Sequence, residues 1–237
     1  MKRRRLLFSA GAGVLGVTVL SACSTEAETP AAPGPPATSA SAEKPGWQRV
    51  NLNFVSAYLL VRGSEVAVVD LGTAGSEGAI EQGLKATGSG WDQVRHVILT
   101  HKHPDHAGGL GGVQPHVKAT WYAGQADVAG IQSATALTPV KDGDEVFGLR
   151  IIGTPGHTAG HVSVFDPGTG VLVAGDALRT TDGLAGSDPQ YTADQAQAAA
   201  SVKKLAGLDV KQILPGHGDP LTAGAADALR KLAASVQ

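Results

Sequence analysis

Four side chains able to bind a metal occupy six consecutive residues in His101-Lys102-His103-Pro104-Asp105-His106. Neutral imidazole and carboxylate suit zinc and its first-row neighbours, and no single small cation needs all four donors from one hexapeptide. The spacing points to two ions. Pro104 also biases His103 towards an extended backbone, which aims His103 and Asp105 to different places. The stretch directly follows Val97-Ile98-Leu99-Thr100, an apolar run that reads as a buried strand, so packing does not account for its histidines.

The elements that must position this chemistry repeat one arrangement. Strand-like runs are read over residues 50–55, 57–62, 65–70, 95–100, 119–122, 145–152, 162–165, 171–174 and 212–214. Helical signals cover 76–87, a short 125–131, a segment capped by Thr192 with Gln195 and running through Leu205, and 223–236. Asp70, His101, His157, Asp176 and His217 each lie at or just beyond the end of such an apolar run. Strand ends are fixed by a sheet while the loops beyond are free to carry chemistry. If the ends gather at one edge, the donors converge. Five such placements, three with Gly or Pro immediately before the donor, favour a metal site over unrelated structural residues.

In order, His-x-His-x-Asp-His at 101–106, Pro-Gly-His-Thr-x-Gly-His at 155–161, Gly175-Asp176 and Gly216-His217 resemble the metallo-β-lactamase superfamily. Within it the pattern is similar to the glyoxalase II-like and lactonase-like hydrolases, over about Val50 to Asp219. The resemblance implies an α/β fold, a four-layer αβ/βα sandwich with its site at one edge of two facing sheets. It implies a first zinc on His101, His103 and His157, and a second on Asp105, His106 and His217. Asp176 would bridge them, a role that suits the two oxygens of an ionised carboxylate. Asp70 and His161 are expected to support the ligands by hydrogen bonds rather than bind metal. His96 and His116 match no motif and are read as surface or core residues. Tyr191, near the loop after Asp176, either donates to an oxyanion or packs.

The implied activity is that of a metal-dependent hydrolase, in which hydroxide shared by two zinc ions attacks a small ester, thioester or lactone. Asp105 would orient the water or take its proton. Iron or manganese suits the same donors. The alternatives are β-lactamase-type amide hydrolysis, a mononuclear iron oxygenase similar to persulfide dioxygenases, and a non-catalytic metal-binding lipoprotein. True β-lactamases usually carry Cys or Ser where Asp176 stands, and persulfide dioxygenases commonly carry Cys where His161 stands. Segments 177–191 and 56–64 are expected to select the substrate.

Ahead of the domain, Lys2 to Arg5 and the apolar Leu6 to Leu20 have the order of a signal peptide over residues 1–22. The apolar part is short of the roughly 20 residues a spanning helix needs. Leu20-Ser21-Ala22-Cys23 resembles a lipobox, and Cys23 is the only cysteine. The protein is therefore expected to be exported and lipid-anchored through Cys23 on the outer face of the cytoplasmic membrane, or secreted. Arg3-Arg4-Arg5-Leu6-Leu7 also resembles a twin-arginine signal, an alternative to Sec export. Residues 23–46, rich in Pro, Ala and Ser, read as a disordered linker, and 47–237 as the folded domain. Losing residues 1–22 removes four positive charges from a chain of net charge −2. That acidic balance disfavours nucleic acid and leaves a small acyl substrate and the membrane as expected partners.

Overall fold

Gly46–Gln237 are the residues described by the computed structural model; the expected signal peptide, Cys23 and the linker up to Pro45 lie outside the described residues. A six-stranded sheet comprises β1 (Gly46–Leu52), β2 (Val55–Arg62), β3 (Glu65–Val69), β4 (Val94–Leu99), β5 (Thr120–Gly124) and β6 (Leu137–Val140), in that order. β1 to β3 pair antiparallel and β3 to β6 parallel. The parallel crossovers carry α1 (Glu77–Ala86) and the single turns α2 (Pro104–Ala107) and α3 (Leu110–Val113).

A second sheet begins with β7 (Glu145–Val146), β8 (Leu149–Gly153), β9 (Val162–Asp166) and β10 (Val171–Gly175). The small hairpin β11 (Leu178–Arg179) and β12 (Ala185–Gly186) follows, then α4 (Gln195–Leu205), β13 (Gln212–Pro215) and α5 (Ala225–Ser235). Strand order is β13-β10-β9-β8-β7, with β10 and β13 parallel.

Period-two alternation along the strands builds three apolar layers. Tyr58, Leu60, Ala67, Val69 and Ile98 of the first sheet pack with Ile151, Val162, Val164, Val173 and Leu214 of the second. Their neighbours Leu59, Val61, Val68, Val97 and Leu99 face the other way, onto Ile80, Leu84, Leu110 and Val113. Leu172 and Ile213 meet Val202 and Leu205 of α4 and Leu229 of α5. Strands buried on both faces read as continuous apolar runs, and helices outside two facing sheets give the four-layer αβ/βα sandwich.

At one edge the two sheets are tied directly. Val162 N donates to Thr100 O at 2.8 Å, Ser56 N to Gly216 O at 2.9 Å, and the buried Tyr58 hydroxyl to Pro215 O at 2.7 Å. The ends of β3, β4, β8, β10 and β13 all open here.

Several local expectations are corrected. The strand expected over 145–152 is two strands, because Phe147 and Gly148 adopt φ of 56° and 72° and form a tight turn. Apolar periodicity carries no information about that backbone sign. The 125–131 helix is only a 3₁₀ turn over Val128–Gly130. The cap of α4 is Asp194, whose Oδ1 accepts Gln197 N at 2.9 Å; Thr192 instead donates to Asp188 O at 2.6 Å. Segment 56–64 does not select substrate as a loop, since 56–62 is strand β2, buried up to Val61. β6, with Pro139 inside it, is an edge strand, where a missing N–H is tolerated.

Candidate metal centre

The strand ends deliver their donors to one place. His101 follows β4, and His103 keeps the extended backbone expected before Pro104, with φ −66° and ψ 147°. Pro104 opens α2, whose single turn presents Asp105 and His106. His157 comes from the loop after β8, Asp176 directly follows β10, and His217 lies two residues past β13.

Three groups of donors form, each with one donor atom per residue and all within 4.8 Å: His101, His103 and His157; Asp105, His106 and His217; and His101, His106 and Asp176. The expected seven residues are thus together. Asp176 Oδ2 lies 3.3 Å from His157 Nε2 and 3.2 Å from His217 Nε2, while its Oδ1 lies 3.2 Å from His106 Nε2. His101 Nε2 and Asp176 Oδ1 are buried with no hydrogen-bond partner. Such orphaned atoms are costly unless something outside the protein satisfies them, and a cation suits imidazole nitrogen and carboxylate oxygen alike. The donor set therefore fits a metal. Gly216 lets the site close, since a Cβ there would collide with Asp176 Oδ1 and the His106 ring.

Hydrogen bonds fix which nitrogen of each ring points inward. Thr100 Oγ1 lies 3.0 Å from His101 Nδ1 and donates to Asp70 Oδ2 at 2.7 Å. Asp70 Oδ2 also meets His106 Nδ1 at 2.8 Å, and its Oδ1 accepts Thr100 N at 2.7 Å. Ser187 Oγ holds His157 Nδ1 at 2.9 Å, and the Phe54 carbonyl accepts from His217 Nδ1 at 2.7 Å. In each case Nε2 is left for the interior; His103 is the exception, its Nδ1 lying 2.9 Å from His157 Nε2. Such outer partners orient a ligand and raise its basicity.

His161 joins none of the donor groups and instead supports them through hydrogen bonds. Its Nε2 accepts Asp176 N at 2.9 Å, and its Nδ1 meets Thr154 Oγ1 at 2.8 Å. Burial pushes this imidazole down to about 3, so it stays neutral and can accept that bond. His96 stacks against Tyr122 and packs at a tilt on Phe147, and His116 stacks against Trp91; neither joins the donor groups.

Three supporting groups were not legible in the sequence. Buried Asp127 accepts Lys102 N at 3.1 Å, Thr158 Oγ1 at 2.5 Å and Gly160 N at 2.9 Å, joining the two histidine loops. Ser187 and the Phe54 carbonyl are the others. Asp127 lies three residues past β5, inside the segment read as a short helix, so the pattern of donors at strand ends did not single it out.

Charge divides the centre. Burial lowers His101 and His103, and takes His157 down to about 4. Burial opposes charge on His106 and His217 too. There the carboxylates of Asp176 with Asp70, and of Asp105 with Asp176, win: His106 is held well above its ordinary value and His217 at about 10.

Above the donors lies a cavity of about 570 Å³, lined by Phe54, Asp105, Arg179, Thr181, Asp188 and Tyr191 with His103, His157 and His217. Phe54 and Tyr191, each 61% exposed, are the exposed large apolar side chains among the described residues.

The sequence and fold have relatives. The chain is 28% identical over 201 residues to the probable metallo-hydrolase YflN of Bacillus subtilis, covering 65% of this chain and 76% of that protein. It is 36% identical over 128 residues to a hydroxyacylglutathione hydrolase of Photobacterium profundum, covering 51% of this chain and 46% of that one. A metallo-beta-lactamase family protein of Thermus thermophilus superposes with a TM-score of 0.65 at 26% identity, covering 80% of this chain and 78% of that one. The model of the metallo-beta-lactamase superfamily matches residues 50–131 and 140–217, which include all seven clustered donors. With that match and the donors gathered at one edge of the sandwich, the chain belongs to the metallo-beta-lactamase superfamily.

Proposed function

We propose that the protein is a zinc-dependent hydrolase of small acyl substrates, an ester, thioester or lactone. His101, His103 and His157 would hold one ion, Asp105, His106 and His217 the other, with Asp176 between them. The observation that carries this is Asp176, whose two oxygens face histidines of both trios and whose Oδ1 has no hydrogen-bond partner. Relatives named as hydrolases support it.

Bound zinc would lower the pKa of water to about 7 and polarise an acyl carbonyl. The chain's own groups do the rest. Asp105, a cavity-lining carboxylate whose Oδ2 lies 3.3 Å from His217 Nε2, orients the attacking water and takes its proton. Thr100, Asp70, Ser187 and the Phe54 carbonyl keep the imidazoles aimed, so little reorganisation is needed during reaction. Phe54 and Tyr191 at the rim cover the apolar part of an acyl group. Residues 1–22 are proposed as an export signal and Cys23 as the lipid anchor; loss of membrane retention in Cys23→Ala would support this.

The test is a panel of chromogenic esters, thioesters, lactones and nitrocefin. Hydrolysis of an acyl ester, thioester or lactone that is abolished by chelation and restored by zinc is expected. Activity on nitrocefin alone, or none that depends on metal, contradicts the proposal.

A further inference from the structure

The cavity above the donors contains one permanent cation. Arg179 lies on β11, three residues after Asp176, and lines the cavity with Thr181 and Tyr191. Its placement is rigid. Arg179 pairs with Ala185 across the hairpin, and the next residue, Thr180, is pinned to the His217 loop through Thr180 N to His217 O at 3.0 Å and Thr180 Oγ1 to Asp219 O at 2.6 Å.

Arg49 pairs with Asp219, Arg62 with Asp166 and Arg230 with Asp227. Arg150, whose Nε also lacks a hydrogen-bond partner, lies over the Phe165 ring, and Arg95 reaches only Val94 O at 3.4 Å; neither lines the cavity, so Arg179 is the one arginine among the described residues that does. Among the described residues no carboxylate lies within ion-pair distance of Arg179. Its Nε is buried without a hydrogen-bond partner, and its side chain makes one hydrogen bond, a long 3.5 Å approach of Nη1 to Thr181 Oγ1. Of the carboxylates lining the cavity, Asp105 and Asp176 face the histidines and Asp188 accepts Gln190 N, and none of them pairs with Arg179. An unpaired guanidinium in a half-buried wall costs stability, and a ligand carboxylate, matched to its planar fork, would relieve that cost.

We propose that Arg179 is the specificity-determining residue of the cavity and that the substrate is an acyl compound bearing a carboxylate. Arg179 binds that carboxylate while the scissile carbonyl sits over the donors, and Phe54 and Tyr191 cover the carbon chain between. This rests on the hydrolase proposed above.

The experiment compares two esters of nearly equal shape, mono-4-nitrophenyl glutarate and 4-nitrophenyl pentanoate, with wild type, Arg179→Gln and Arg179→Lys. Wild type is expected to prefer the glutarate ester in kcat/KM. In Arg179→Gln the preference falls about tenfold or more, mainly through KM, and Arg179→Lys restores part of it, as a point charge would. Equal losses on both esters, or an unchanged ratio, overturn the proposal. Calorimetric binding of succinate, glutarate and adipate provides a readout independent of turnover. If neither ester is cleaved, the hydrolase proposal fails alone, and binding decides for Arg179. Dicarboxylate binding lost in Arg179→Gln upholds its role; binding absent from wild type or equal in the variant refutes it.

Discussion

The two donor trios stand side by side yet are steadied by opposite chemistry. His101 and His157 lean on neutral hydroxyls, Thr100 and Ser187, whereas His106 leans on the Asp70 carboxylate and His217 on the Phe54 carbonyl. Burial lowers the histidines of the first trio, while carboxylates raise His106 and His217. In the metal-free protein the first trio is therefore neutral near pH 7 and ready to accept a cation. The second holds protons that metal uptake must displace. One fold edge thus offers two positions of different charge, joined by Asp176.

The largest effect that would break this comparison is loss of the joining carboxylate. Asp176→Ala is expected to drop kcat/KM by ~1000-fold, about 4 kcal/mol of barrier, with metal content falling below two ions per chain. Steady-state kinetics beside elemental analysis checks it; a variant retaining two ions and full rate would refute the bridging role.

Next come the outer partners, whose removal costs about 10–100-fold in metal affinity or activity. Asp70→Ala should lie near the upper end, because a carboxylate bonded to an imidazole is stronger than a neutral partner and here also fixes Thr100. Ser187→Ala should lie near the lower end. Competition with a chromophoric chelator measures both, and reversal of their order would erase the distinction between the trios.

A smaller effect is the pH dependence of the metal-free fold. His157, at about 4, and His161, at about 3, stay neutral in the fold but take up protons in the unfolded chain below their ordinary 6.5. Acid therefore destabilises the fold as pH falls from 6.5 towards 4. His217, raised to about 10, contributes stability that is fully present below 6.5 and lost as pH rises through 10. Melting of chelated protein should show a lower Tm on both flanks. Zinc should flatten the dependence more on the alkaline side, since it replaces the proton on His217.

The donors were readable from the chain because each is local: four fall in one hexapeptide, and the rest follow apolar runs with Gly or Pro beside them. The sandwich was readable because strands buried on both faces leave continuous Val, Ile and Leu runs. The supports were not. Asp127 acts on residues 25 to 33 positions away, Ser187 on His157 30 positions away, and Phe54 through a backbone carbonyl that no side-chain pattern encodes. The turn at Phe147-Gly148 escaped for the same kind of reason, since its positive φ values leave no mark on hydropathy. Asp194 rather than Thr192 capping α4 shows that two polar residues close together can each satisfy the capping pattern, and only the backbone path selects between them.

The most direct measurement is the number of metal ions held by the purified protein after titration with zinc at neutral pH, followed by calorimetry. Two ions per chain, binding in two resolved steps of which one releases protons and weakens about 100-fold in Asp70→Ala, is the predicted result. A single ion per chain, or two ions whose binding neither releases protons nor responds to Asp70, would contradict a centre built from two unlike halves.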